Sequence, residues 1–156
     1  MTCRTRGFTL IELMIVVMIL GILSVIAIAQ FTGVSLTARE NTMRESLLQM
    51  RTQVSAYALQ HRDVAPSATD FAAQLTQTTN EDGVLGTGDG YRFGPYMAAI
   101  PINPVNGMNT IKTIAATDAA TPDGTTGWLY QPMAGYFQFW ANTLGNDSNG
   151  KPYFQY

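Results

Sequence analysis

From Leu13 to Ala29 seventeen consecutive residues carry no charge, and only the small Gly21 and Ser24 interrupt their apolar character. With Phe8 to Glu12 in front, the stretch reaches 22 residues, which at about 1.5 Å of helical rise per residue matches a hydrocarbon core roughly 30 Å thick. The run therefore reads as a membrane segment. Arg4 and Arg6 precede it and no acid lies between Met1 and Gly7, so the short basic end is expected to stay in the cytoplasm while the rest crosses. One carboxylate, Glu12, stands at the mouth of the apolar run. Charge is costly at membrane depth, so such a residue points to a function.

Two other kinds of N-terminus share part of this pattern. A secretory signal peptide has the same basic start and apolar core, and Ala27-Ile28-Ala29 supplies a small-x-small cleavage site before Gln30. On that reading the mature protein is a membrane-anchored or secreted glycan-binding module. A lipoprotein signal needs its Cys after the apolar run, whereas Cys3, the only thiol, precedes it. A lone Cys also excludes an internal disulfide framework.

The order Gly7-Phe8-Thr9-Leu10-Ile11-Glu12-Leu13, after a basic leader and before an apolar run, resembles the processing site of type IV pilins and type II secretion pseudopilins. The resemblance implies a prepilin peptidase that cuts after Gly7 and methylates the new amine at Phe8. Residues 1–7 are then a cleaved leader that carries Cys3 away. Glu12 lies one helical turn beyond Phe8, about 6 Å along the axis. In a staggered assembly one subunit's Phe8 ammonium can meet another's Glu12 and neutralise two groups that a dry core penalises. Many relatives carry Pro where this chain has Ala29, with a helix unwound between that Pro and a glycine matching Gly21; only the glycine is present here.

Beyond the apolar run, Leu36, Met43, Leu47, Met50, Val54 and Tyr57 recur at helical spacing, with Arg39, Glu40, Arg44, Glu45 and Arg51 between them. Glu40 and Arg44 stand at the i, i+4 spacing of a helical ion pair. No Pro appears before Pro66. The expectation is one helix from about Phe8 to Arg62, its half 8–30 transmembrane and fibre-core, its half 31–62 amphipathic, followed by a globular head over 63–156. Ser67-x-x-Asp70 is a capping-box-like start for a short helix holding Phe71, Ala72 and Leu75. Strand-type runs follow at Thr110–Ile114, Gly127–Gln131 and Tyr136–Asn142, the last two joined as a hairpin through Pro132 and Gly135. The fold class is α+β and pilin-like: one long N-terminal helix packed on a small head with a short helix and a small antiparallel β-sheet. The order of these pieces in the head looks like the major pseudopilin branch.

The net charge of −2 provides no field for a polyanion, so no nucleic-acid partner is expected. The charge is unevenly placed: residues 31–62 hold four Arg and two Glu, while residues 63–156 hold eight acids and three basic residues. There is one His, His61, and no His-Glu-x-x-His, Gly-x-Ser-x-Gly or two-carboxylate signature, so enzyme activity is not expected. Asn142 to Gly150 gathers oxygen side chains in a glycine-punctuated loop. Asn142, Asn146, Asp147 and Ser148 supply the ligand type Ca²⁺ prefers, and the resemblance to major pseudopilins implies a structural Ca²⁺ in this tail. A plain turn-rich loop is the other reading, since only Asp147 is a formal anion. The implied partners are other copies in a homopolymeric filament, the prepilin peptidase, an inner-membrane assembly platform and minor pilins or pseudopilins. The implied location is the bacterial inner membrane, then a periplasmic or cell-surface filament.

Overall fold

The structure, a computed structural model, describes residues 7–156, with the backbone alone for 27–33. The leader residues Cys3, Arg4 and Arg6 and the side chains of Ala27-Ile28-Ala29 lie outside the described residues. The chain divides into two units, Met1–Thr37 and Ala38–Tyr156, and helix α1 (Leu10–Gln60) contributes to both.

In the first unit α1 continues through Gly21 and past residue 29 with no break. Ala, Leu, Ile and Met at most positions give the backbone no reason to leave the helix, and Gly21 alone costs about 1 kcal/mol relative to Ala. The Ser24 hydroxyl is satisfied by the Leu20 carbonyl, 2.7 Å away. Among the described residues no helix is long and apolar enough to cross a membrane; the apolar side chains that are described cover 10–26.

In the second unit the helical stripe becomes the core. Met43, Leu47, Met50, Val54 and Tyr57 are all buried, as the spacing predicts. Leu36, read as part of the same stripe, falls in the first unit and is exposed. Opposite the stripe lie Phe71 and Leu75 from α2 (Phe71–Thr76), then Trp128, Tyr130, Phe139 and Ala141 from the sheet, and Tyr153. Phe71 packs against Tyr130 with ring centroids 4.2 Å apart. The two deepest polar rings have partners: Trp128 Nε1 donates to the Pro101 carbonyl at 2.8 Å and the Tyr130 hydroxyl to the Pro66 carbonyl at 2.7 Å.

The sheet order is β1 (Ile111–Thr113), β2 (Trp128–Met133), β3 (Tyr136–Ala141). β2 and β3 form the expected antiparallel hairpin, pairing Tyr130 with Phe139 and turning through Gly135 at φ +78°. β1 differs from the expected all-antiparallel arrangement: it pairs parallel to β2, Ile111 with Trp128, so the sheet is mixed. The reason lies in the connection 114–127, long enough for the crossover that parallel pairing needs. The Gln131 amide holds it at the Ala115 and Asp118 carbonyls, 2.6 and 2.9 Å away. Gly127 admits the close approach, because a Cβ there would strike the Met108 backbone.

α1 ends in two successive left-handed residues other than glycine, Arg62 at φ 58° and Asp63 at φ 62°. The Asp63 amide donates back to the Ala58 carbonyl at 2.9 Å, the bond that closes a Schellman end. Arg62 is held there by Glu81 at 2.8 Å and Asp82 at 3.2 Å. The Asp63 side chain has no such partner among the described residues. Asp63→Gly is therefore expected to raise stability by about 0.5–1 kcal/mol by removing the left-handed penalty, read as a higher midpoint in urea; a lowered midpoint would contradict this account of the helix end.

Candidate functional site

The N-terminal segment presents its chemistry openly. Among the described residues beyond its chain neighbours, none comes near the position a Gly7 Cβ would take, and Phe8 is 77 % exposed. Thr9 caps α1. Its backbone amide and hydroxyl both donate to Glu12 Oε2, at 2.9 and 2.7 Å, while the Glu12 amide donates to the Thr9 hydroxyl at 3.3 Å. This is a reciprocal capping box, T-x-x-E, which sequence reasoning passed over by treating Glu12 only as a charge. Glu12 Oε1 carries no bond among the described residues. Thr9 and Glu12 both lie beyond the expected cut, so removal of residues 1–7 leaves the box intact. From Leu10 to Ile26 the large apolar side chains are all exposed, a continuous apolar surface far beyond what scattered surface residues produce.

The second candidate region is the tail, which folds onto α1 through charged residues. Glu40 is fully buried and accepts from the Ser148 amide at 2.8 Å, the Ser148 hydroxyl at 2.7 Å and the Tyr153 hydroxyl at 3.2 Å. One turn on, Arg44 reaches Asp147 at 2.6 Å and the Tyr156 hydroxyl at 2.7 Å. Its guanidinium also lies over the Tyr156 ring, 4.4 Å from the centroid. Arg51 donates to the Phe139 carbonyl inside β3 at 2.7 Å and to the Tyr156 carbonyl at 2.6 Å. The i, i+4 pair anticipated between Glu40 and Arg44 gives way to these contacts, each more than a hundred positions away in sequence for Glu40 and Asp147. A helix carrying cations and a tail carrying an acid find each other in the way the uneven charge distribution implies.

These contacts also answer how the four tail residues read as Ca²⁺ ligands are placed. Asp147 uses Oδ1 for the Asn149 and Lys151 amides and Oδ2 for Arg44 and the Tyr156 hydroxyl. Asn142 turns away to the 123–126 loop, where its Oδ1 accepts from the Asp123 and Gly124 amides. Ser148 serves Glu40, and Asn146 is exposed. A guanidinium in contact with the one carboxylate opposes a cation, so these residues as placed do not fit a Ca²⁺ cage. No group of three or more His, Cys, Asp or Glu among the described residues is arranged to hold a metal.

The Tyr156 hydroxyl, the Lys151 and Asn149 amides and Arg44 together hold the Asp147 carboxyl down to about 2, against a smaller opposing effect of burial. A carboxyl depressed on folding lends stability above its unfolded value near 4, and that contribution disappears as pH falls through about 2. The melting temperature of the chain is therefore expected to fall between those two values, and the fall to shrink in Asp147→Asn. Equal pH dependence in the two proteins would show that Asp147 has no part in it.

His61 lies at the end of α1 as expected, but it is buried. Its Nδ1 meets the Tyr57 carbonyl at 2.7 Å and its Nε2 the Thr79 hydroxyl at 2.9 Å, and the ring stacks on Tyr57 at 3.8 Å. Both nitrogens thus have structural partners. Of the hairpin rings, Trp128, Tyr130 and Phe139 are buried in the core, Phe137 is half-buried against it and Tyr136 is exposed.

Comparison with known proteins bears on the N-terminal segment. Residues 3–28 match the family described as the prokaryotic N-terminal methylation motif. Two fimbrial proteins of Pseudomonas aeruginosa are each 35 % identical to this chain over 82 residues, covering 50 % of it and 53 % of them. The chain thus spans about half the length of the curated relatives it matches. No solved structure matches it. The motif and the fimbrial likeness together support the type IV pilin and pseudopilin superfamily for this chain.

Proposed function

We propose that this chain is the structural subunit of a filament of the type IV pilus or type II secretion pseudopilus kind. It waits in the bacterial inner membrane through residues 8–30, with residues 1–7 in the cytoplasm and the head outside. A prepilin peptidase cuts after Gly7 and methylates Phe8. An assembly platform then packs the apolar helix into a fibre core, with minor pilins or pseudopilins as further partners. The observation that carries this reading is the capped helix start at Thr9 and Glu12 followed by apolar side chains exposed from Leu10 to Ile26. Membrane and fibre core are both dry, so one helix surface suits each in turn. Within this kind, the pseudopilus is favoured because the tail closes on α1 through Glu40, Arg44 and Arg51 and the chain beyond Cys3 has no cysteine.

Substitution at the cut tests the proposal. Gly7 is exposed and has no crowding neighbour among the described residues, so Gly7→Ala should be processed and assembled, whereas the branched side chain of Gly7→Leu should block the peptidase and leave uncut chain in the membrane. Immunoblots for chain length and electron microscopy of sheared fibres read both outcomes. Normal fibres from Gly7→Leu cells would refute the proposed processing.

A further inference from the structure

The sequence has two Asn-Gly steps, Asn106-Gly107 and Asn149-Gly150, and the fold treats them differently. The Asn106 amide is held on both sides: Nδ2 donates to the Thr126 and Asn142 carbonyls at 2.9 and 3.0 Å, and Oδ1 accepts from the Met108 amide at 3.1 Å. Asn149 is exposed and its side-chain amide has no hydrogen bond among the described residues. The glycine amides do not separate the two steps, since Gly107 donates to Asn103 and Gly150 to Asp147. What separates them is whether the asparagine side chain can rotate to bring Cγ onto the following nitrogen.

We infer that Asn149-Gly150 is a site of spontaneous deamidation, and that its isoaspartate product loosens the turn that anchors the tail. The Gly150 nitrogen, having lost its proton to solvent base, attacks Asn149 Cγ. The new N–Cγ bond forms, the Cγ–Nδ2 bond breaks and ammonia leaves, giving a succinimide. Water then opens the ring at either carbonyl, giving aspartate or isoaspartate. Glycine suits this step because no side chain shields its nitrogen. The isoaspartate product lengthens the backbone by one methylene between two residues, Asn149 and Lys151, whose amides both donate to Asp147 Oδ1, at 2.9 and 2.8 Å. It also sets a carboxylate beside Asp147. Both changes work against the turn through which Asp147 holds Arg44 and Tyr156.

The experiment incubates the purified full chain in detergent at mildly alkaline pH, with a parallel sample in concentrated urea, and maps isoaspartate by peptide mass spectrometry over time. In urea the two Asn-Gly steps should convert at similar rates. In the folded chain Asn149 should convert while Asn106 lags roughly thirtyfold, the factor expected from giving up the two hydrogen bonds its Nδ2 makes. Asn149→Gln should remove the signal at that position. The fraction carrying isoaspartate at 149 should melt below the unmodified fraction. An Asn149 that stays intact when folded but converts in urea would overturn the inference, as would Asn106 converting as fast as Asn149 in the folded chain. Identical melting of the two fractions would overturn its link to the tail.

Discussion

Replacing Trp128 with alanine is expected to cost the head about 3–5 kcal/mol, the largest single loss the core offers. Trp128 is fully buried, starts β2, pairs with Ile111 of β1 and Ala141 of β3, and stacks near Phe139 with centroids 5.9 Å apart. Its truncation leaves a cavity at the first of the three registers where all three strands pair, and it orphans the Pro101 carbonyl that Trp128 Nε1 serves. Domains of this size are stable by only about 5–15 kcal/mol, so much of the margin goes with one side chain. Thermal unfolding of the full chain in detergent should show a midpoint lower by roughly 10–20 °C. Trp128→Phe separates the two causes, since it keeps most of the volume and loses only the hydrogen bond; it should fall between wild type and alanine. An alanine variant melting within experimental scatter of wild type would contradict the core as described.

The second large effect is expected at Glu12, and the capping box makes it decidable. Glutamine at this position keeps an oxygen that can accept from the Thr9 amide and hydroxyl, so Glu12→Gln preserves the helix start. It removes only the charge. Methylation leaves the Phe8 amine cationic, so if each copy's Glu12 neutralises another copy's Phe8, the glutamine variant carries an unpaired ammonium into a dry core. Fibre yield should then fall by well over about tenfold in Glu12→Gln and in Glu12→Leu alike, while membrane insertion stays intact in both and improves for leucine. Wild-type fibre yield from Glu12→Gln would reduce Glu12 to a helix cap. Wild-type yield from both would remove it from assembly altogether.

The parts of this fold that are legible in the sequence are the local ones. Met43, Leu47, Met50, Val54 and Tyr57 announce a buried helix face because their spacing repeats every turn, and Gly135 marks the hairpin because the turn demands its backbone. Leu36 continues the same spacing and yet is exposed, since a periodic pattern carries no sign of where the covering layer stops. The parallel pairing of β1 with β2 was not legible. It depends on Gln131 gripping Ala115 and Asp118, contacts that no local pattern encodes. The same holds for Glu40 and Arg44. Their i, i+4 spacing satisfies a helix rule, but Ser148 and Asp147 compete for them from across the fold and win by offering a backbone amide, a hydroxyl and a carboxylate in fixed geometry. The tail oxygens show the chemistry of metal ligands for a related reason: the sequence does not reveal that donors already meet Asp147 and Asn142 or that Ser148 serves Glu40. Thr9-x-x-Glu12 is the opposite case, a local pattern fully readable in the sequence, in which one carboxylate serves both as helix cap and as the lone charge beside the apolar run.

Everything proposed for assembly depends on where the mature chain begins, and intact mass spectrometry of the protein extracted from membranes and from sheared fibres measures that directly. The account predicts one species in fibres, starting at Phe8 and carrying a methyl group on its amine, with the uncut Met1 form confined to membranes. A mature chain starting at Gln30, or fibres built from chains that retain residues 1–7, would contradict it.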